Sequence, residues 1–434
     1  MRTLGIYIEI EGKQVFVGTI RGGGAHDACF SYGIDYLDRD GACPISLNLP
    51  LQEEPFSVEQ TRVFFEGLLP EGFTRRSVAQ LLQVDESDYI SILSVLGSEC
   101  LGAIQVVEDG HEPVEADYQN LTPKKMKALA EEGAGEAAEL VTESHLSLAG
   151  ASGKVGLYFD APKDKWYLPI GDAPSTHIVK QSHVRLNDIV INEQLVLGTA
   201  AKLGIDVVES FIINTGDGSD RDILFATSRY DREEFSDRKV AGLKCPLRRH
   251  QEDLAQALGI AASNKYEKTG ENHFALVGEM IRENSANAAE DLIKLWDITA
   301  FNWLIGNTDN HIKNMSLIYS PDLKSVRLAP AYDLISTVIY PSSAKAMAFN
   351  IGGVYPRREI DKAAWERAAA DIGIGRGFAL DRIVDISERL PAALKETAGE
   401  LESAGFVAAR ELSNILDKKH ILLSNIVDKS AIIL

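Results

Sequence analysis

Apolar and polar positions alternate along the first twenty residues. "LGIYIEI" is followed by a break at Glu11-Gly12-Lys13 and then by "QVFVGTI". Two period-two runs joined by a tight turn predict a β-hairpin. Ser57, with Gln60 three residues on, reads as a capping box opening a helix in "SVEQTRVFFEGLLPEG", which Pro70 ends. "YISILSVLGSE" predicts a second apolar helix and "GAIQVV" a strand, so residues 1–110 form a small α+β unit. The stretch from 108 to 145 is acidic and carries Gly and Pro; 111–145 reads as a solvated connection with one or two surface helices. From 146 to 245 the pattern predicts an antiparallel β-rich lobe, built from "KVGLYFD", "KWYLPI", "STHIVKQS", "VVESFIINT" and "RDILFATSRYDR". One helix, "INEQLVLGTAAKLGID", interrupts these strands, with Gly204 as its stop. From 246 to 434 the chain turns helical. In "AAEDLIKLWDITAFNWLIG", Leu292, Leu295, Trp296, Thr299 and Trp303 recur at three to four residues, the stripe of a buried helix face, and Gly306 closes it. A hairpin in "MSLIYS…SVRLAP" follows, and the remainder reads as largely helical.

Composition narrows the class. A chain of 434 residues, 45% hydrophobic, can bury the cores of two or three domains. The net charge, 44 − 64 = −20, disfavours broad binding to nucleic acid or anionic membrane. Four cysteines (Cys29, Cys43, Cys100, Cys245) stand apart with no CxxC pair, which argues against a zinc site or disulfide framework and for a reducing compartment. The N-terminus lacks a signal-peptide pattern, and no apolar run approaches the ~18 residues of a membrane helix. These features read as a cytoplasmic protein with no membrane partner.

The nine residues "GNTDNHIKN", Gly306 to Asn314, then stand out. Asp309 and Asn314 are five apart, and Asp333 follows on the far side of the hairpin. Phosphoryl transfer needs a carboxylate to take the acceptor's proton, and an amide and a second carboxylate to hold magnesium against phosphates. A D-x-x-x-x-N loop, a hairpin and then an Asp is the order used by protein kinases and by small-molecule kinases of that fold. The β-rich lobe supplies the rest. Lys180 on "STHIVK" can pair with α/β-phosphates, and Glu193 in the next helix can orient it. "SLAGASGK", Ser147 to Lys154, is a small-residue loop whose backbone N–H groups can approach phosphate, although it is not a Walker A motif. Each of these signals alone is weak; their order in the chain carries the reading.

"GNTDNHIKNMSL", "LAPAYDLIST", "STHIVK" and "LSLAGASGK" together resemble the HipA family, the serine/threonine kinase toxins of bacterial toxin–antitoxin pairs. "LPLQEEPFSVEQTRVFFEGLLPEG" resembles that family's N-terminal subdomain, and "RRHQEDLAQALGI…KYE" its mid-chain helical region. The resemblance implies an α+β, two-lobed protein-kinase-like fold with an added N-terminal subdomain, using ATP and Mg2+. It implies Asp309 as catalytic aspartate, Asn314 and Asp333 as magnesium ligands, and Lys180 as the ATP-phosphate lysine. Ala149, Gly150, Ala151, Ser152, Gly153 and Lys154 match the phosphate-side loop. Ser228, Arg229 and Tyr230 match the hinge that meets adenine. His311, Lys313 and Tyr332 fall among the nucleotide contacts, and Ser147 where members autophosphorylate. Ser152 and Gly153 replace the family's usual Gln-x, which adds a second hydroxyl. The implied partners are a HipB-like helix-turn-helix antitoxin, operator DNA reached mainly through it, and a translation-related protein substrate such as an aminoacyl-tRNA synthetase. Arg357–Arg358 and Lys418–Lys419 are basic spots that could touch phosphates but read better as solvated faces. A small-molecule kinase and a catalytically idle co-repressor are the rival readings.

Overall fold

A computed structural model describes residues 2–110, 114–132, 134–144, 153–182, 186–233 and 237–427. The N-terminal hairpin forms as its alternation predicts: β1 (Arg2–Ile10) pairs with β2 (Lys13–Gly22). Glu11 and Gly12 both take positive φ, 49° and 77°, the twist that matches a two-residue hairpin turn. β3 (Cys29–Tyr32) and β4 (Ile104–Glu108) complete a four-stranded sheet in the order β3-β2-β1-β4. Helices α1 (Val58–Gly67), α2 (Gly72–Leu81) and α3 (Tyr89–Leu96) complete this unit. The capping box is present: the Ser57 hydroxyl accepts from the Gln60 N–H at 3.2 Å, and the Gln60 side chain accepts from the Ser57 N–H at 3.3 Å.

The stretch read as a solvated connection does more than connect. It holds β5 (Asp117–Asn120), α4 (Pro123–Glu132) and α5 (Ala134–Ser144). α5 packs on α2 and on the strand that follows it, burying Ala137, Ala138, Leu140 and Val141. β5 becomes the edge of the next sheet. The acidic composition misled because the apolar residues, such as Leu129, Ala130, Leu140 and Val141, are interleaved with the exposed charges.

The second sheet is antiparallel throughout, in the order β5-β7-β6-β8-β10-β9. Its strands are β6 (Lys154–Asp160), β7 (Lys165–Ile170), β8 (His177–Gln181), β9 (Ser210–Asn214) and β10 (Ile223–Ser228). α6 (Ile189–Lys202) crosses it against β9 and β10, with Gly204 in the left-handed region just past its end. Register places Lys180 of β8 between Lys154 of β6 and Phe225 of β10. All three therefore face the same side of the sheet.

The third part is helical around α8 (Ala288–Ile305), preceded by α7 (His273–Asn284). The stripe Leu292, Leu295, Trp296, Thr299 and Trp303 is buried. Trp296 and Trp303 both meet Trp365 edge-on, at 5.1 and 5.3 Å between ring centres. A short strand β11 (Gln251–Asp253) joins the predicted hairpin, β12 (Ser316–Tyr319) and β13 (Val326–Leu328), in a three-stranded sheet. A hairpin that the largely helical expectation missed, β14 (Ala346–Ile351) and β15 (Val354–Pro356), precedes α9 (Lys362–Asp371), α10 (Arg376–Ser403) and α11 (Ala408–Val427). Its signal was present: "AMAFNI" alternates before a Gly352-Gly353 turn. Among the described residues no helix is long and apolar enough to cross a membrane.

Candidate active site

A cleft of about 1480 Å³ runs between the second sheet and the helical part, and the N-terminal unit contributes to its wall. Its catalytic-side loop is fixed by helix geometry. α8 ends at Gly306, whose φ of 77° and tight packing admit no side chain: a Cβ there would lie 2.4 Å from Cγ2 of Val338. The Gly306 carbonyl accepts from the Thr337 N–H and hydroxyl, both at 3.0 Å, and Thr337 Oγ1 accepts from the Thr308 N–H at 2.9 Å. Asn307 is buried and donates to Asn302 Oδ1 at 2.8 Å. The loop is thereby stapled both to α8 and to the segment that follows Asp333.

Of the two basic spots read as solvated faces, Arg358 and Lys418 are exposed as expected, whereas Arg357 and Lys419 brace this region. Arg357 is buried, and its guanidinium donates to the Trp303 and Leu304 carbonyls at 2.7 Å, capping the end of α8. Lys419 donates to the Val338 carbonyl. Helix ends leave carbonyls that need donors, and Arg357 serves that need at the end of α8.

The predicted phosphate-handling groups lie together. The Lys180 ammonium donates to Glu193 Oε1 at 2.7 Å and to Asp333 Oδ1. Burial works against its charge, but two carboxylates outweigh that and raise its pKa. Burial likewise pushes Asp333 up, yet Lys180, with Lys154 behind it, holds the carboxyl well below its ordinary range. Asp333 takes a φ of 53°, a strained conformation for a non-glycine residue that costs about 1–3 kcal/mol. Lys154 also lines the cleft; burial, which Asp333 only partly offsets, pulls its ammonium pKa down.

Across the cleft, the Asp309 N–H donates to Asn307 Oδ1 at 3.1 Å, and the Asp309 carbonyl accepts from the His311 N–H at 2.8 Å. The Asn314 amide also donates to the Asp309 carbonyl, at 3.1 Å, leaving its own oxygen free of that bond. The Asp309 carboxylate accepts from the Tyr266 phenol at 2.5 Å, and burial raises its pKa. An amide oxygen from Asn314 and a carboxylate from Asp333 are the hard oxygen donors that suit magnesium, which keeps waters and phosphate oxygens for its other positions. Among the described residues no cluster of three or more His, Cys, Asp or Glu could cage a metal by itself, so these two would hold an ion with the help of a phosphate.

The remaining residues singled out in the sequence divide. Tyr332 lines the cleft, stacks on Tyr230 at 6.0 Å and shares a 2.6 Å hydrogen bond with the Ser316 hydroxyl. Ser228 lines the cleft beside His177. Arg229 borders it, but its guanidinium is turned into a buried cluster with Glu99 at 2.9 Å and Asp231 at 2.6 Å, so its charge is committed away from any nucleotide. His311 is buried, and burial pushes its pKa down to about 3, so the ring is neutral. Lys313 is spent on Asp253 at 3.0 Å and Glu71 at 3.2 Å. Gly153 and Lys154 line the cleft, whereas Ser147, Ala149, Gly150, Ala151 and Ser152 lie outside the described residues.

Three cleft residues lie inside stretches that carry the resemblance but drew no role of their own: Glu71, Lys265 and Tyr266. Glu71 precedes α2 in the N-terminal unit and reaches Lys265 at 2.8 Å as well as Lys313. Burial pushes its carboxyl up, but the two lysines bring it down to about 2. Only the docking of two units distant in sequence creates this contact.

Comparison with known proteins shows the family. Residues 8–107 match the model of the HipA N-terminal domain, and residues 146–396 that of the HipA-like C-terminal domain. A putative kinase, Y4mE of Sinorhizobium fredii, is 34% identical over 385 residues, covering 86% of this chain and 88% of its own. The serine/threonine-protein kinase toxin HipA of Shewanella oneidensis is 28% identical over 388 residues, covering 84% of each. The fold is that of a Shewanella oneidensis HipA structure, solved with HipB and operator DNA: the TM-score is 0.80 at 22% identity over 99% of both chains. With both of its domain models matched in order and a relative at this level of identity, the chain belongs to the HipA family of kinases.

Proposed function

We propose that this protein is an ATP- and magnesium-dependent serine/threonine protein kinase, the toxin of a HipA–HipB-type pair. One observation carries the reading: Lys180, tied to Glu193 and Asp333, faces the same cleft as the Asp309 and Asn314 loop. In this reading Lys180 holds the α/β-phosphates, kept charged and aimed by its two carboxylates. Asn314 and Asp333 hold magnesium, which when bound neutralises charge on the transferring phosphoryl group. Asp309 orients the acceptor hydroxyl and takes its proton. The Tyr230–Tyr332 stack forms an aromatic wall for the base, and the hinge backbone rather than the Arg229 side chain meets it.

The assembly with a helix-turn-helix antitoxin and operator DNA is proposed from the Shewanella complex. The −20 charge supports placing most DNA affinity in the antitoxin. The target is proposed to be a translation-related protein such as an aminoacyl-tRNA synthetase. The test is incubation with γ-labelled ATP, magnesium and cell lysate. A labelled protein band is expected. Label confined to small molecules would favour a small-molecule kinase, and none at all an idle co-repressor.

Self-regulation through Ser147 belongs to the same reading. A phosphoserine adds about −1.5 to −2 charges. Gly153 and Lys154, six and seven residues on in the sequence, line the cleft, and in this reading the added charge disfavours bound triphosphate. Phospho-Ser147 protein is therefore expected to bind Mg-ATP more weakly than Ser147→Ala. Titration of both forms checks this, and equal affinity would refute it.

A further inference from the structure

The phenol on Asp309 is not explained by the chemistry above. A base waiting for an acceptor hydroxyl already holds one: Tyr266 Oη donates to Asp309 Oδ1 at 2.5 Å. A half-buried carboxylate still favours a donor, and here the protein supplies one internally. The ring is held lightly. It meets His311 edge-on at 5.2 Å, lies 5.7 Å from the Lys265 ammonium and is 48% exposed. Its backbone is pinned, because the next N–H, that of Glu267, donates to the Ala348 carbonyl at 3.1 Å. A side-chain rotation alone therefore frees Asp309.

Tyr266 also stands at a boundary. A second cavity, of about 550 Å³, shares Leu186, Tyr266, Asp309 and Ile335 with the main cleft and extends away from it. Ile335, Tyr340, Ala346, Met347 and Ala348 line it, and its carboxylates are those of Asp309 and Glu267. Glu267 is committed to the Asn350 amide at 2.6 Å and N–H at 3.0 Å. Transfer requires the attacking and leaving oxygens to lie roughly in line, so an acceptor must reach Asp309 from a side other than that of the phosphates.

We propose that this second cavity is the acceptor site, taking a hydroxyl-bearing polypeptide segment with small apolar neighbours, and that Tyr266 occupies the acceptor hydroxyl's position until the segment displaces it. Tyr266 is a positioning residue in this scheme. It keeps Asp309 satisfied and keeps water from being activated against ATP. The inference rests on Asp309 as the base.

The test compares wild type, Tyr266→Phe, Asp309→Asn and Ala346→Glu in the full chain, measuring ATP hydrolysis without acceptor and transfer to lysate proteins. Losing one hydrogen bond to a charged acceptor is worth on the order of tenfold. Tyr266→Phe is expected to raise acceptor-free hydrolysis by that factor in kcat, with KM for ATP unchanged. Adding Asp309→Asn should abolish the rise. Ala346→Glu places a charge at a half-buried position of the second cavity. It should lose transfer to the labelled proteins while Mg-ATP binding, titrated on the same preparation, shows an intact fold. Unchanged or slower hydrolysis in Tyr266→Phe, undiminished transfer in Ala346→Glu, or phosphate found on Tyr266 itself would overturn the proposal. Undiminished transfer in Asp309→Asn would instead overturn the assignment of the base, so the two failures are distinguishable.

Discussion

Asp309→Asn is expected to lose on the order of 10²–10⁴ in the rate of phosphoryl transfer, the worth of a positioned proton acceptor. ATP affinity should barely change. The carboxylate that the substitution removes accepts from Tyr266, whereas the groups proposed to hold phosphate and metal are Lys180, Asn314 and Asp333. The loop should also keep its shape. Its bonds run through the Asp309 N–H to Asn307 and through the Asp309 carbonyl to Asn314 and His311, and none uses the carboxylate. The measurement is kcat for labelled phosphate transfer beside an ATP titration on the same preparation. A full rate with intact nucleotide binding removes Asp309 from the mechanism. Asp333→Asn makes the contrast, because it takes a carboxylate from Lys180 and from the proposed metal together, so nucleotide affinity should fall along with rate.

What was readable in advance divides by the range of the forces involved. The β1–β2 turn, the Ser57 box and the Gly306 stop depend on neighbours within a few residues, and each appears where its local chemistry requires. The grouping of Lys180, Glu193, Asp309, Asn314 and Asp333 spans more than 150 residues, and it was approached through motif order rather than through local rules. The failures share a cause. Arg357 and Lys419 looked like surface charges because nothing nearby in sequence reveals that orphan carbonyls at the end of α8 and at Val338 await them. Arg229 read as part of the hinge that meets adenine, and nothing nearby in sequence reveals that its side chain is spent on Glu99, 130 residues earlier. Glu71 and Tyr266 sit in stretches that carry the resemblance yet drew no role, for the same reason: an acid before a helix and a tyrosine in a loop acquire meaning only when the N-terminal unit and the catalytic part meet.

That meeting is held by charge, and Glu99→Gln should expose its strength. The Glu99 carboxylate is buried and accepts from Arg232 at 2.8 and 3.0 Å, Arg229 at 2.9 Å and Arg248 at 3.1 Å, while Arg248 also reaches Glu9. Asp231 completes the cluster, accepting from the Gly102 N–H at 2.7 Å. Burial pushes the Glu99 carboxyl up, but Arg232, Arg229 and Arg248 overcome this and depress it from an ordinary 4.5 to about 2. That depression corresponds to about 3 kcal/mol of stability. Breaking a buried ion pair from one side costs about 3–5 kcal/mol, since the abandoned cations stay buried. Both routes give the same order, so Glu99→Gln should lower unfolding free energy by about 3 kcal/mol or more in a denaturant titration. The pH dependence has a definite sign. A depressed acid stabilises above its unfolded pKa, and that contribution is lost as pH falls through the folded value. Wild-type stability should therefore drop between about pH 5 and pH 2, and Glu99→Gln should drop less over that window. Because Arg229 follows the last residue of β10 and leads into the proposed hinge beside Tyr230, the damage should reach nucleotide binding before it reaches the Asp309 loop. A Glu99→Gln protein with wild-type stability and an unaltered acid slope would show that the arginines, not the carboxylate, carry this joint.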